Sequence, residues 1–317
     1  MINTICLDKN YSTTRLLTKE KPIVINNPED KFESMLFLPE SEGRKGEGGL
    51  RTKGYFKKSY EDKPLISIVT VVFNGGEFLE ETILSVINQT YDNVEYIIID
   101  GGSNDGTVDI IKKYEDKIDY WVSEKDGGIY NAMNKGIDVV NGDWMNFMNA
   151  GDSFYNKNII ETIANNMEDE DTVVSGKVNI YYKNRFIQEY GNKKIVPHQA
   201  AFFKSSYMKR LYFNLDYKIL ADGDMLQRLQ RLQNYRIKYV NIVVSKFYLG
   251  GIGNNPKYLF RRMKEELKIK QSYNQGISFK WIILQGYNFF GLLFYCLFGE
   301  YRYYTVFQNI ILKLVKN

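Results

Sequence analysis

The sequence predicts an α/β protein built on a doubly wound sheet, and three observations support this fold class. Short runs rich in β-branched residues alternate with segments of helical periodicity from Pro64 onward. The runs are almost continuously apolar, as expected of parallel strands that are buried on both faces. Strands and helices follow each other in alternation, which is typical of a doubly wound sheet.

The first half of the pattern predicts strands with helices between them. The runs LISIVTVVF, VEYIIID, IDYWVSE and DWMNFMN predict the strands. The segments EFLEETILSVINQT, VDIIKKYED and GIYNAMNKGIDVV predict the helices, and the first has acidic residues in its first turn, where the helix dipole favours them. Ligands of such sheets bind at the carboxyl ends of the strands. The polar residues at or just past those ends are Asn74, Asp100, Glu124 and Asp152.

Beyond Asp152 the alternation continues less regularly. NIIETIANNME predicts a helix, TVVSGKVNIYY a strand, and KNRFIQEYGN a polar hairpin-like segment. DGDMLQRLQRL predicts a further helix, and IKYVNIVVSKFYLGG a closing strand with a glycine turn. The composition changes at both ends of this region. We therefore predict an arm or linker over residues 1–63, a catalytic domain over 64–253 and a helical tail over 254–317.

The arm contains the cluster SEGRKGEGGLRTKG, whose glycines and charges disfavour a sustained helix or strand. Two alternatives remain for it: an extended segment packed on the main domain, or disorder. No charged-then-apolar leader opens the chain, so a secretory signal is not expected.

Composition argues against several classes of protein. The two cysteines, Cys6 and Cys296, are far apart, so neither a disulfide framework nor a cysteine zinc site is expected, and a reducing cytosol fits best. The single histidine, His198, argues against a multi-histidine metal centre. The segment FNGGEFLEE after the first strand lacks G-x-G-x-x-G spacing, and no G-x-x-x-x-G-K-[ST] loop occurs. Neither an NAD enzyme nor an ATPase is therefore expected.

Six fragments occur in the order found in family-two inverting glycosyltransferases, and from about Pro64 to Gly253 the chain resembles these enzymes. The fragments are SIVTVVFNGGEFLEETILSVINQT, YIIIDGGSNDGT, SEKDGGIYNAMNKGI, NAGD, HQAAFF and ADGDMLQRL. More narrowly, the chain is similar to bacterial enzymes that build O-antigen, capsule or exopolysaccharide repeat units. The resemblance implies a GT-A (Rossmann-like) mixed sheet and a nucleotide-sugar donor, with UDP favoured over GDP or dTDP. It also implies addition of one sugar per encounter, because the Q-x-x-R-W of processive synthases is absent.

The resemblance assigns Asp152 to a metal ion. A hard cation such as Mg²⁺ or Mn²⁺ needs few carboxylates when diphosphate oxygens and water complete its shell, and it neutralises charge on the leaving group. The family usually has Asp-x-Asp or adjacent aspartates here, whereas this chain has Asn149-Ala150-Gly151-Asp152, so Gly151 replaces the partner. A turn or a helix cap is the alternative role of Asp152.

Asp100 ends the second strand and matches a nucleotide-binding position of the family. The next residue, often a second Asp that recognises uracil, is Gly101 in this chain. Recognition of the base is therefore expected to involve Phe73 and Asp126, with Phe73 and Asp100 preferred over Asp126. Asp105 is instead expected to cap the helix that follows it.

Asp222 opens the helix DGDMLQRLQRL and matches the residue that accepts a proton from the attacking hydroxyl in the resembling enzymes. Asp224 is the second candidate for this base, and a helix cap is the alternative for both. His198 lies in the fragment HQAAFF, where it either serves the acceptor or diphosphate, or makes a structural hydrogen bond.

The tail combines positive charge with apolar residues. Residues 255–317 contain ten Lys/Arg against three Glu, and KYLFRRMKEELKIK predicts a basic helix. The stretch from Trp281 to Gly299 is free of charge and almost long enough to span a bilayer, but Gln285, Asn288 and its glycines favour an interfacial or re-entrant segment. The alternative is a helical subdomain packed on the catalytic core or on a dimer partner.

The sequence thus predicts a glycosyltransferase at the cytoplasmic face of the inner membrane. It would transfer a hexose or N-acetylhexosamine from a UDP-sugar to a sugar on undecaprenyl diphosphate. The alternative is a degenerate GT-A protein that binds glycans or partner proteins; Gly101 and Gly151 favour it, whereas Asp152 and Asp222 oppose it. Nucleic acid is not expected as a partner, because the basic tail is strongly apolar. The sugars and the oligomeric state stay open.

Overall fold

The computed structural model describes residues 4–23, 35–193, 195–251 and 253–307. Within these residues, ten strands form one mixed sheet. In chain order, the strands are β1 (Gly46–Gly48), β2 (Ile66–Val72), β3 (Val94–Asp100), β4 (Tyr120–Ser123), β5 (Trp144–Phe147), β6 (Ser153–Phe154), β7 (Val173–Tyr182), β8 (Arg185–Tyr190), β9 (Ala201–Lys204) and β10 (Ile237–Tyr248). Their spatial order is β1-β4-β3-β2-β5-β9-β7-β10-β6, and β8 pairs with β7.

Strands β4, β3, β2 and β5 are mutually parallel and form one half of the sheet. In the other half, β9 is antiparallel to both β5 and β7, while β10 runs parallel to β7. The predicted α/β mixed sheet is therefore confirmed. The helices are α1 (Gly76–Ile87), α2 (Thr107–Lys113), α3 (Ile129–Val139), α4 (Ile159–Ala164), α5 (Ser205–Leu211), α6 (Ala221–Leu229), α7 (Leu259–Ser272) and α8 (Phe279–Arg302).

Each face of the sheet is covered by an apolar layer. Alternate residues of β2 point into opposite layers: Ile68 packs with the α1 side, and Val69 with the side of α3 and α6. Helix α3 approaches β2 closely at Gly136, which has no Cβ. A Cβ at this position would lie 2.5 Å from Val69 Cγ1. Burial on both faces explains why the central strands are continuously apolar in sequence.

The described part of the N-terminal arm is packed on the domain, which is the first of the two predicted alternatives. Strand β1 pairs antiparallel with β4 and covers that edge of the sheet. The Arg51 guanidinium is buried beside the sheet, with Nη2 2.6 Å from Glu95 Oε1. Its Nη1 donates to the carbonyl oxygens of Leu36 and Val139. Residues 1–3 and 24–34 of the predicted arm, and 308–317 of the predicted tail, lie outside the described residues.

The two helices of the tail differ in their surroundings. Helix α7 contributes Ile269 to the core layer that holds α3 and α6, whereas most side chains of α8 face outward. In the described part of the chain, one helix is long and apolar enough to cross a membrane. It spans Trp281–Arg302 with a mean hydropathy of 1.5, and 11% of its most apolar window is buried.

Candidate active site

Asp152 lies in the turn between β5 and β6, at the carboxyl edge of the parallel strands. Its backbone N–H donates to the Asn149 carbonyl oxygen at 2.9 Å, which closes the turn. The residue is only 7% exposed. Burial raises the pKa of Asp152 to about 7, although His198, the Gln199 side chain and the Tyr248 backbone favour the ionised form. Its carboxyl is therefore poised between its neutral and charged states near neutral pH.

Asn149 connects this turn to His198. Its amide Nδ2 lies 3.4 Å from His198 Nε2. Its side-chain oxygen Oδ1 is buried and has no hydrogen-bond partner in the described structure. A buried oxygen without a donor is costly unless a ligand or ion satisfies it. Asn149 therefore offers an unsatisfied oxygen in the same turn as Asp152, a candidate ligand that the sequence did not single out.

Asp222 lies in the first turn of α6, with 35% of its side chain exposed. Its Oδ1 accepts hydrogen bonds from the Tyr130 hydroxyl at 3.0 Å and the Gly223 N–H at 2.9 Å. Its Oδ2 lies 3.5 Å from His198 Nδ1. Burial opposes ionisation, but His198, Gly223 and Tyr130 outweigh it and lower the pKa of Asp222. The group is consequently a partly exposed carboxylate at neutral pH.

His198 lies between the two acidic sites. One ring nitrogen is next to Asn149, in the turn that carries Asp152, and the other is next to Asp222. Because the Asn149 amide nitrogen can only donate, Nε2 is the acceptor in this contact, and Nδ1 is the ring nitrogen that faces Asp222. The structure thus brings the turn of Asp152 and the first turn of α6 with Asp222, which are far apart in sequence, to two sides of His198.

Phe73, Gly101 and Asp126 meet at the opposite end of the parallel edge. Phe73 follows β2 and is 64% exposed. A Cβ on Gly101 would lie 2.7 Å from Asp126 Oδ2 and 3.3 Å from the Phe73 ring. Asp126 thus places a carboxylate where a side chain at position 101 would lie. Its Oδ1 accepts from the Gly128 N–H at 2.7 Å, and burial raises its pKa.

Asp100 is fully buried at the end of β3. Its carboxylate accepts hydrogen bonds from the backbone N–H groups of Gly102 and Ser103 and from the Ser103 hydroxyl. The Ser123 hydroxyl on β4 donates to it at 2.5 Å. Through these hydrogen bonds Asp100 holds the loop after β3, next to Phe73, in its conformation. Direct contact between Asp100 and a nucleotide would require this loop to rearrange.

Three other acidic residues have structural partners. Glu124 is paired with Arg44 and Lys135. Asp105 accepts from the Thr107 N–H and hydroxyl at the start of α2, from the position before the N-cap residue Gly106. Asp224 is 3% exposed and bonds to the side chains of Arg228 and Tyr273. Of the two candidates for the base, Asp222 is therefore the more accessible, with 35% of its side chain exposed against 5% for Asp224.

Residues 67–231 match the family described as "Glycosyl transferase family 2". The chain belongs to glycosyl transferase family 2. A relative described as an uncharacterized glycosyltransferase of Mycobacterium tuberculosis is 32% identical over 233 residues, which cover 67% of this chain and 87% of the relative. The enzyme class predicted from the sequence is confirmed, and this membership weighs against the alternative of a degenerate binding module.

Solved structures support the GT-A fold of this glycosyltransferase. The mannosyltransferase PcManGT from Pyrobaculum calidifontis, in complex with GDP-Man and Mn²⁺, aligns with a TM-score of 0.54 and 16% identity over 73% of this chain and 70% of that one. Residues 1–349 of S. aureus TarS, in complex with UDP-GlcNAc, align with a TM-score of 0.52 and 16% identity over 73% of this chain and 72% of that one. At such identities the likeness concerns the fold.

Proposed function

We propose that this glycosyltransferase is metal-dependent and inverting, and that it adds one hexose or N-acetylhexosamine per encounter from a UDP-linked donor. The main support is the arrangement around His198, whose imidazole ring lies between the turn of Asp152 and the Asp222 carboxylate. Donor binding at one end and proton acceptance at the other is the arrangement that an in-line displacement needs. A nucleotide-sugar donor is supported by the complexes of PcManGT with GDP-Man and of TarS with UDP-GlcNAc, and the TarS complex is the one with a UDP-linked sugar.

Asp152 and Asn149 are the residues proposed to hold Mn²⁺ or Mg²⁺. The described residues contain no group of three or more His, Cys, Asp and Glu side chains that could hold a metal ion. One carboxylate and one unsatisfied amide oxygen nevertheless fit a cation that takes its other ligands from diphosphate and water. When bound, such an ion neutralises charge that develops on the departing diphosphate. Asp152 must lose its proton to serve as a ligand.

Asp222 is the proposed base. The acceptor hydroxyl attacks the anomeric carbon from the side opposite the nucleotide, and a new carbon–oxygen bond forms as the bond to the diphosphate breaks. UDP leaves with the electron pair, and the hydroxyl proton passes to Oδ2 of Asp222, the oxygen that does not accept from Tyr130 or Gly223. The hydrogen bonds from Tyr130 and Gly223 to its other oxygen fix the orientation of the carboxylate.

At the nucleotide end, Phe73 and Asp126 are proposed to bind the base. The exposed Phe73 ring offers a stacking surface, and the Asp126 carboxylate offers an acceptor beside it. Asp100 supports both indirectly, since it orders the loop that contains Gly101. This division of roles follows from the complete burial of Asp100.

The enzymatic proposal is tested by UDP release and product formation with a panel of UDP-hexoses and UDP-N-acetylhexosamines. The acceptor is a synthetic GlcNAc- or GalNAc-diphosphate lipid, and each reaction is run with Mn²⁺ and with EDTA. Asp222→Asn is expected to lose at least about 10³-fold in transfer while UDP binding survives. Asp216→Asn, the same change on an exposed carboxylate, is the control. Full turnover by Asp222→Asn, or full activity in EDTA, contradicts the mechanism.

We further propose that the acceptor is a sugar on undecaprenyl diphosphate, as in O-antigen or capsule assembly, and that the enzyme is peripheral to the cytoplasmic face of the inner membrane. Helix α8 exposes large apolar side chains, including Phe290 at 64% and Leu297 at 76%. Helix α7 and the short segment before it expose positively charged side chains, including Lys257, Arg261 and Lys264. Apolar insertion combined with attraction to anionic lipid is the physical basis of such binding.

Flotation with vesicles tests the membrane proposal on the full chain. Vesicles that contain phosphatidylglycerol are expected to bind the protein, and the Phe290→Glu/Leu297→Glu variant is expected to stay in solution. Phe186→Glu changes a comparably exposed ring on β8 and should still bind. Equal flotation of all three proteins would contradict a role for α8.

A further inference from the structure

Glu265 on α7 has an unusual set of partners. The residue is 8% exposed, and its carboxylate accepts three backbone hydrogen bonds from one short segment. Oε1 accepts from the Lys218 N–H at 2.9 Å, and Oε2 accepts from the N–H groups of Ile219 and Leu220 at 2.9 and 3.0 Å. Such charge-assisted bonds are among the stronger hydrogen bonds in proteins. A helix of the tail thus holds the chain immediately before α6.

The segment held by Glu265 carries the proposed base. Helix α6 begins at Ala221 and has no side-chain cap at Leu220, so its first N–H groups lack the usual local partner. The Glu265 carboxylate lies at this N-terminal end, where the helix dipole also favours negative charge. Asp222 follows two residues after Leu220. A displacement of the segment would therefore move the base.

Tyr130 contacts the same segment from the side of the core. The Tyr130 hydroxyl of α3 lies 2.7 Å from the Ile219 carbonyl oxygen and 3.0 Å from Asp222 Oδ1. Glu265 accepts from the N–H of Ile219, and the one proton of the Tyr130 hydroxyl is shared between the C=O of Ile219 and Asp222 Oδ1, so both backbone polar groups of Ile219 contact distant helices. Tyr130 touches the base directly, whereas Glu265 acts through the backbone.

Helix α7 contacts α6 at another point. The Tyr273 hydroxyl, just after the end of α7, donates to Asp224 Oδ1 at 2.8 Å. The other oxygen of Asp224 pairs with Arg228 on α6. With Ile269 in the core, these bonds leave α7 little freedom to slide along α6.

We infer that Glu265 is a positioning residue for transfer, and that α7 therefore belongs functionally to the active site although its sequence reads as tail. This inference rests on the proposed role of Asp222 as base. Proton acceptance requires the carboxylate to lie within hydrogen-bond reach of the attacking hydroxyl, and a shift of about 1 Å can cost about 10²-fold in rate. The tail thus contributes to catalysis as well as to membrane contact.

The neighbouring residue provides a matched control. Glu266 on the same helix accepts from Trp281 Nε1 at 2.6 Å and from Gln285 Nε2 at 3.2 Å. Both partners belong to α8, and no hydrogen bond from the segment before α6 to Glu266 is found among the described residues. Glu266→Gln therefore makes the same chemical change while leaving the support of the base intact.

The test compares full-length wild type, Glu265→Gln, Glu265→Asp and Glu266→Gln with a detergent-solubilised lipid-diphosphate acceptor. Glu265→Gln is expected to lower kcat ~10- to 100-fold while the donor KM and the Kd for UDP stay within about twofold of wild type. Glu265→Asp retains the carboxylate on a shorter side chain and is expected to give an intermediate kcat. Glu266→Gln should transfer at the wild-type rate. Thermal unfolding of each variant confirms that it is folded.

A double variant separates positioning from general loss of stability. In the Asp222→Asn background, Glu265→Gln should cause almost no further loss, because residues that act as a unit are not additive. Wild-type kcat in Glu265→Gln, or equal losses in kcat and UDP affinity, would overturn the inference. If Glu265→Gln does not fold, Glu265→Asp decides the same question. If Asp222→Asn itself retains full transfer, the proposed base fails first, and that outcome is distinguishable from failure of Glu265.

Discussion

Replacing Asp152 by Asn should stabilise the metal-free protein at neutral and alkaline pH. Burial places the pKa of Asp152 at about 7 in the folded chain, above its ordinary value of 3.8. Between these values the folded state keeps a proton that the unfolded state has lost, so stability falls as pH rises through this interval. Above pH 7 the loss is complete. The Asn side chain has a similar shape and carries no charge at any pH, so the variant escapes this penalty.

The expected magnitude follows from the interval. The pKa of Asp152 rises from 3.8 in the unfolded chain to about 7 in the folded chain. At about 1.4 kcal/mol per pKa unit, its ionisation lowers the free energy of unfolding by at most about 4 kcal/mol. Urea unfolding in EDTA at pH 4, 6 and 8 measures it. At pH 4, wild type and Asp152→Asn should unfold at similar urea concentrations. At pH 8, the variant should be the more stable protein, by up to that amount.

Mn²⁺ and UDP should reverse the order of the two proteins. A ligand that binds only the folded state stabilises it, and the wild-type carboxylate should bind the ion where the amide does not. We therefore expect Mn²⁺ with UDP to raise the unfolding midpoint of wild type and to leave that of Asp152→Asn nearly unchanged. A difference between the proteins that does not grow from pH 4 to pH 8 in EDTA would refute the argument from burial.

Four further substitutions test other parts of the structure. Phe73→Ala should weaken UDP binding about tenfold, in line with stacking energies of about 1–3 kcal/mol per base, as measured by calorimetry against Phe186→Ala. Gly101→Ala should also weaken UDP binding several-fold, because its new Cβ displaces Asp126 and Phe73, whereas Gly276→Ala meets open space and should have no effect. Arg51→Met should lower the free energy of unfolding in urea by about 3–5 kcal/mol, since it removes the ion-pair partner of the buried Glu95. Lys113→Met is the control, because it breaks only an exposed ion pair. Gly136→Ala should lower the free energy of unfolding by about 1–3 kcal/mol, because the new Cβ clashes with Val69. Gly286→Ala meets open space and should not destabilise the protein. An equal effect of both substitutions would contradict the close packing of α3 on β2.

The regular elements could be predicted because local patterns encode them. The strand Val94–Asp100 is buried along its whole length, and its sequence shows that as an unbroken apolar run. Strand β1 could not be predicted in this way. Its residues Gly46–Gly48 lie in a glycine-rich cluster, and they become a strand because β4 offers an unpaired edge. Helix α5 was likewise not assigned from the sequence.

Candidate site residues could be named from the sequence where a residue stands at the end of an element, as Asp152 and Asp222 do. Tyr130 and Glu265 were missed because their partners are 92 and 46 residues away, at Asp222 and Ile219. No spacing in a single sequence marks such contacts. Asn149 stood inside the quoted fragment NAGD, and its unsatisfied oxygen became visible only once the turn was folded.

The corner formed by Gly101 and Asp126 has a consequence for how related chains are compared. The resemblance to the family implies an acidic residue at position 101, where this chain has Gly, yet the space beside Phe73 still contains a carboxylate, supplied by Asp126 from 25 positions further along. A comparison of aligned positions alone would count Gly101 as the absence of a carboxylate. In the folded protein, Asp126 from another loop places a carboxylate at that point. Relatives with Gly at the first place and Asp at the second, or the reverse, would present the same charge to the same volume.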